Sequence, residues 1–217
     1  RGQFQKARQL GEQCLASAKQ MEDPSRLLRA EWILGQTLAH LGDFVSACQH
    51  VEHALALYDP RQHRSPALQD LGVTSHSYLA WGFWFLGYPE QALATNQKAL
   101  TLAQELSHSF SVAYALIFAA GIHQFCGDGQ KAREMAEKAI TICREQEFPM
   151  WLAFGEIVCG WALVRQGREE EGVAQILQGL TAWKATGAEA SRPLALAMLA
   201  EAYGRVGKIE EGLSILE

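Results

Sequence analysis

Positive charge is scarce in this sequence: 19 Lys plus Arg stand against 24 Asp plus Glu, the formal net charge is -5, and no block of basic residues interrupts the chain. A broad electrostatic footprint for nucleic acid is therefore disfavoured. The mild negative balance is what solubility ordinarily requires and does not by itself mark an acidic groove. No run of ~18 consecutive apolar residues is present, so nothing points to a membrane span or to membrane contact by this stretch. Proline is rare, and the 19 glycines recur at ordered positions instead of clustering as in a linker.

Catalytic signatures are missing as well. There is no Gly-rich phosphate loop followed by Lys-Ser or Lys-Thr, no H-R-D segment and no recognisable metal-binding pair of aspartates, so no cofactor is expected. Cys14, Cys48, Cys126, Cys143 and Cys159 form no C-x-x-C pair and lie among apolar, helical-looking runs. They read as small buried hydrophobes in a reducing, cytoplasmic setting. The seven histidines are scattered; His50 and His53 share a helical face, but without an H-E-x-x-H pattern they do not compose a zinc site. No metal and no catalytic residue is assigned.

What the sequence does have is a ladder. Gly2, Gly42, Gly87, Gly127, Gly167 and Gly207 recur about every 40 residues, one interval being longer. Five residues after each stands a small residue (Ala7, Ala47, Ala92, Ala132, Gly172, Gly212), and seven before each of the last five stands another (Gly35, Ala80, Ala120, Gly160, Ala200). The glycine lets the chain turn, and the flanking small residues let two antiparallel helices approach closely. Ala54, Ala99, Ala139 and Gly179, twelve residues past the turns, are expected to contact the next repeat.

The pattern predicts first helices over about 25–40, 73–86, 110–125, 150–165 and 192–206, and second helices over about 4–20, 44–58, 89–106, 130–146, 169–186 and from 208 onward. The chain reads as a single repeat domain over 1–217 that starts with the second half of a hairpin and stops inside a helix, a piece of a longer protein. The extra residues of the long interval fall in Tyr58-Asp59-Pro60-Arg61-Gln62-His63-Arg64-Ser65-Pro66, which either relaxes the join between hairpins or supplies a recognition edge.

This ladder resembles the tetratricopeptide pattern with longer paired helices. The resemblance implies an all-α, right-handed superhelix of antiparallel hairpins. The segments Leu86-Gly87-Tyr88-Pro89-Glu90-Gln91-Ala92-Leu93, Ala99-Leu100-Thr101-Leu102-Ala103-Gln104-Glu105-Leu106 and Leu199-Ala200-Glu201-Ala202-Tyr203-Gly204 are similar to the C-terminal repeat region of large bacterial signalling proteins. In that group an adenylate or guanylate cyclase, or a protein kinase, precedes a nucleotide-triphosphatase module, chemistry this stretch does not contain.

In related repeats the positions 13, 10, 6, 3 and 2 residues before each turn glycine line the concave surface. Here they include Arg29, Trp32, Gln36 and His40; Trp81 and Trp84; Tyr114 and Gln124; Trp161 and Arg165; Glu201 and Arg205. These twelve residues are the candidate partner surface. The large rings either project into a groove or are buried between neighbouring first helices. A protein, a peptide or an attached signalling domain is the expected occupant, with a small ligand as the alternative. Asn96 is the sole asparagine, and Trp32 stands where a chaperone-tail clamp needs Lys, so that specificity is not expected.

Overall fold

A computed structural model of the chain describes residues 3–63 and 69–216. Gly2 of the turn ladder and Arg64, Ser65 and Pro66 of the long loop lie outside the described residues. Among the described residues the regular elements are α1 (Phe4–Met21), α2 (Pro24–His40), α3 (Phe44–Leu57), α4 (Leu71–Phe85), α5 (Pro89–Glu105), α6 (Ser109–Phe125), α7 (Gly129–Glu145), α8 (Pro149–Arg165), α9 (Glu169–Ala185), α10 (Arg192–Arg205) and α11 (Ile209–Leu216). The fold is all-α, and the even-numbered helices are the first members of the hairpins.

The turn glycines do what their spacing implies. Gly42, Gly87, Gly127, Gly167 and Gly207 have φ between +73 and +87°. The amide of the residue after each turns back to the preceding helix, as in Asp43 N–H to Leu38 O at 3.0 Å and Arg168 N–H to Leu163 O at 3.0 Å. This is the closure of a Schellman-type helix end. The turns after the second helices take positive φ at Glu22, Ser107 and Glu147 as well as at Gly187, so a second turn series exists with little glycine to announce it.

Close approach within the hairpins is real. A methyl group added to Gly160 would lie 2.7 Å from the carbonyl oxygen of Gly172, and one on Gly212 would lie 3.1 Å from that of Ala200. The third series needs correction at Gly179: its neighbours are Ile157 and the carbonyl of Ala153, on α8 of its own hairpin and not on the next repeat. Positions 5, 9 and 12 past the turn lie on one helical stripe, so the same crossing simply continues along the pair.

The chain divides into two compact units, one ending at Ala115 and the other beginning at Leu116, within α6. The first buries Cys48, Val51 and Leu79 in one cluster and Val73, Ala99, Ala103, Leu106 and Ala115 in another. The second buries Phe154, Ile157, Trp161, Ile176 and Trp183, with the Phe154 and Trp183 rings 5.5 Å apart. In the first unit the described part of the long loop is a folded strut. The Tyr58 ring covers Gly72, its hydroxyl donates to Asp70 Oδ2 at 2.8 Å, and His63 Nε2 lies 3.2 Å from Ser25 Oγ.

Candidate interaction surface

Alternating helices place the inner positions of neighbouring hairpins side by side, and polar contacts lace them together. In the first unit the Trp32 indole of α2 donates to Thr74 Oγ1 of α4 at 2.7 Å. His40 Nε2 lies 3.1 Å from the Tyr78 hydroxyl, and its ring stacks on Phe4 at 4.7 Å. Tyr78 in turn shares a hydrogen bond with Tyr114 of α6. Burial pushes the Tyr78 phenol up to about 12 and Tyr114 well above the ordinary tyrosine range, so both remain protonated donors.

The candidate residues are therefore not equivalent. Tyr114 is 3% exposed and positions Tyr78, and through it His40, instead of offering contact area. Trp81 and Trp84 are half-buried, as are Gln36 and Gln124. Among the described residues Gln36 Nε2 and Gln124 Oε1 are buried without a hydrogen-bond partner. Arg29 is exposed and lines a depression of about 260 Å³ with Cys14, Ser17 and Ala18 of α1.

In the second unit four candidates meet. The Trp161 ring is 2% exposed, and its indole donates to Glu201 Oε2 at 2.7 Å. Arg165 lies over the Trp161 ring, 5.8 Å from its centroid. Arg165 and Arg205 each stand 3.7 Å from the other oxygen, Glu201 Oε1.

Three histidines are held below the ordinary imidazole range. Desolvation does this at His40; at His76 desolvation comes first and Lys98 adds to it; at His123 desolvation outweighs the opposing pull of Asp128. Their folded pKa lies below the unfolded value of about 6.5, so the unfolded chain takes up protons first as pH falls. The stability they contribute is complete above pH ~6.5 and is lost as pH drops toward the folded values. Urea unfolding should give a lower midpoint at pH 5.5 than at pH 7.5. A midpoint that holds or rises on acidification would contradict the buried, neutral assignment.

A further pair of polar sites went unread in the sequence. Glu31 is the lone carboxylate of α2 and Glu156 that of α8, and each stands eleven residues before a turn glycine. Glu31 is 5% exposed and meets His50 Nδ1 at 2.5 Å; Glu156 accepts from Gln175 Nε2 at 2.7 Å and pairs with Arg144 at 2.6 Å. Glu156 lines a groove of about 320 Å³, and His50, the partner of Glu31, lines one of about 350 Å³. A single acidic residue at a repeated register in an apolar helix was the available signal.

His108 Nδ1 and Ser111 Oγ are 2.8 Å apart, but Ser111 is fully buried and accepts from the Asp70 amide, while the Asp70 carboxylate caps α4 and takes the Tyr58 hydroxyl. Burial raises the thiols of Cys48 and Cys143 to about 11 and that of Cys159 to about 12. Cys14 and Cys126 are exposed, a departure from the buried reading. Among the described residues no three His, Cys, Asp or Glu are grouped to hold a metal, and no helix is long and apolar enough to cross a membrane.

Residues 28–53 and 193–217 match the tetratricopeptide repeat model. A curated relative, an uncharacterised protein of Rhizobium meliloti (strain 1021), is 22% identical over 170 residues, which are 76% of this chain and 16% of the relative. The chain thus spans about one sixth of that relative's length. Among solved structures, a Rap protein complexed with competence and sporulation factor superposes with a TM-score of 0.78 at 14% identity, covering 98% of this chain and 68% of that one. A signal transduction ATPase with numerous domains and a tetratricopeptide repeat sensor, from Pyrococcus horikoshii, gives 0.63 at 17% identity, covering 99% and 34%. A kinesin light chain with nearly identical tetratricopeptide-like repeats, from Podosopora anserina, gives 0.58 at 22%, covering 90% and 93%. The hairpins have a tetratricopeptide-like fold.

Proposed function

We propose that this repeat region is a non-catalytic interaction scaffold whose first-helix face holds a peptide or an attached domain, within a longer bacterial signalling protein of the cytoplasm. The observation that carries this reading is the lacing of the inner positions. In the first unit the hydrogen bonds joining Trp32 to Thr74 and His40 to Tyr78 hold neighbouring first helices together, while Trp81 and Trp84 remain partly exposed. Partly exposed, preorganised aromatics are the side chains from which binding hot spots are made. The Rap protein was solved in complex with competence and sporulation factor and the Pyrococcus ATPase carries its repeats as a sensor, and both uses are compatible with a binding role for this fold. An attached cyclase, kinase or nucleotide-triphosphatase module would be the part that such occupancy regulates.

A random dodecapeptide library displayed on phage is a suitable probe. Peptides selected on the wild-type chain should lose about 2 kcal/mol of affinity, roughly thirtyfold, toward Trp84→Ala, with a similar direction for Trp81→Ala. Gln97→Ala, on the exposed side of α5, should leave affinity unchanged. Calorimetry is run where circular dichroism shows every variant fully folded. Equal affinities for wild type and both tryptophan variants would move the binding surface elsewhere.

A further inference from the structure

From the second unit we infer that Arg165 and Arg205 form a receptor for a side-chain carboxylate of an acidic peptide, with Trp161 and Glu201 as its fixed base. The inference rests on the scaffold reading above and names the chemistry of one part of that surface.

The argument begins with how Glu201 is held. Its Oε2 accepts the indole N–H of a ring that is 2% exposed, so the carboxylate is pinned from beneath. Its Oε1 faces two guanidinium groups, one from α8 and one from its own helix, each at 3.7 Å. That distance is too long for an N–H···O hydrogen bond. The guanidinium groups are thus drawn electrostatically to Glu201 without saturating their donors, and their side chains are 32% and 40% exposed. Two cations around one anion leave one net positive charge.

Arg165 and Arg205 occupy the same register, two residues before successive turn glycines, so the repeat itself sets them side by side. The cation–π position of Arg165 over Trp161 steadies one arm. A planar fork of this kind takes a carboxylate bidentately, which is what a Glu or Asp side chain offers. At the same register the preceding hairpins carry His40, Phe85 and Phe125, so the cationic character belongs to the last two.

Hexaglutamate with blocked termini is the probe, with hexaglutamine as its uncharged counterpart and free glutarate as a small-acid control, followed by NMR of the indole N–H signals. Hexaglutamate should bind, shift the Trp161 indole signal and weaken with added salt; hexaglutamine should not bind. Replacing both Arg165 and Arg205 by Ala should lower affinity by about tenfold or more. Glu201→Gln retains an acceptor for Trp161 but removes the competing charge, and should raise affinity severalfold. The proposal fails if hexaglutamate does not bind, if the double variant binds equally, if Glu201→Gln leaves affinity unchanged or weaker, or if glutarate binds as well as the peptide. A failure here alongside tryptophan-dependent binding of phage-selected peptides would remove the carboxylate receptor and leave the scaffold reading standing. Loss of tryptophan dependence with hexaglutamate binding intact would do the reverse.

Discussion

Trp161→Ala should destabilise the chain by about 3–5 kcal/mol, the range for emptying a large aromatic site in a packed core. Trp161 is among the largest fully buried side chains, and it sits in α8 between buried Gly160 and Ala162. Two losses combine. The cavity removes contacts that the surrounding helices cannot fully recover, and Glu201 loses the donor that holds its Oε2. Trp161→Phe separates them, because it retains most of the ring volume while deleting the indole N–H. Its cost should be about 1.5 kcal/mol, the lower end for a hydrogen bond to a charged group, because Glu201 is partly exposed. Denaturant unfolding followed by circular dichroism measures both. A cost below about 1 kcal/mol for the alanine variant would mean that the site collapses or that the ring is not part of the core.

This ring also shows where sequence reading stops. The spacing from the turn glycine placed Trp161 on the inner side of its helix, and its bond to the equivalently spaced Glu201 follows from that register. Spacing alone does not say how close neighbouring first helices come, so exposed anchor and buried ring were equally readable for Trp161, and Tyr114 was open in the same way. Both are buried. Trp81, at the register of Trp161, and Trp84, three residues nearer its glycine, are only half-buried. Tyr78 stands nine residues before its glycine, outside the positions that line the inner face in related repeats, although it joins His40 to Tyr114.

Backbone features were legible in proportion to how few residue types can satisfy them. Positive φ at the hairpin turns calls for glycine, and glycine stands at each described one. The turns after the second helices accept Glu22, Ser107 and Glu147 in the same conformation, so no residue type marked them. Long-range polar partners were hardest. Glu31 and Glu156 reveal themselves only when two copies of the repeat are laid over each other and the lone carboxylates coincide. Their partners differ, His50 in one and Gln175 in the other, which hides the correspondence from any fixed motif.

The small-residue ladder makes a prediction in which two effects of opposite sign compete. In an exposed helix position, Gly→Ala stabilises by up to ~1 kcal/mol because alanine has the higher helix propensity. Gly204, near the end of α10, has nothing within 4 Å of an added methyl group, so Gly204→Ala should show that gain. Gly172 is also helical, yet a methyl group there would press on the carbonyl oxygen of Gly160 and lie 2.8 Å from the amide nitrogen of Val164. Those are backbone atoms, which cannot swing aside as a side-chain tip can. The two helices must separate, and overpacking of this kind costs about 1–3 kcal/mol, more than propensity returns. Gly172→Ala should therefore be destabilising by about 2 kcal/mol, and Gly172→Leu by about 3 kcal/mol or more as its branch forces α8 and α9 further apart. Urea unfolding of the three variants tests the balance. If Gly172→Ala proved as stabilising as Gly204→Ala, the α8–α9 crossing would be looser than its backbone distances imply, and the repeat ladder would have to owe its small residues to something other than close helix packing.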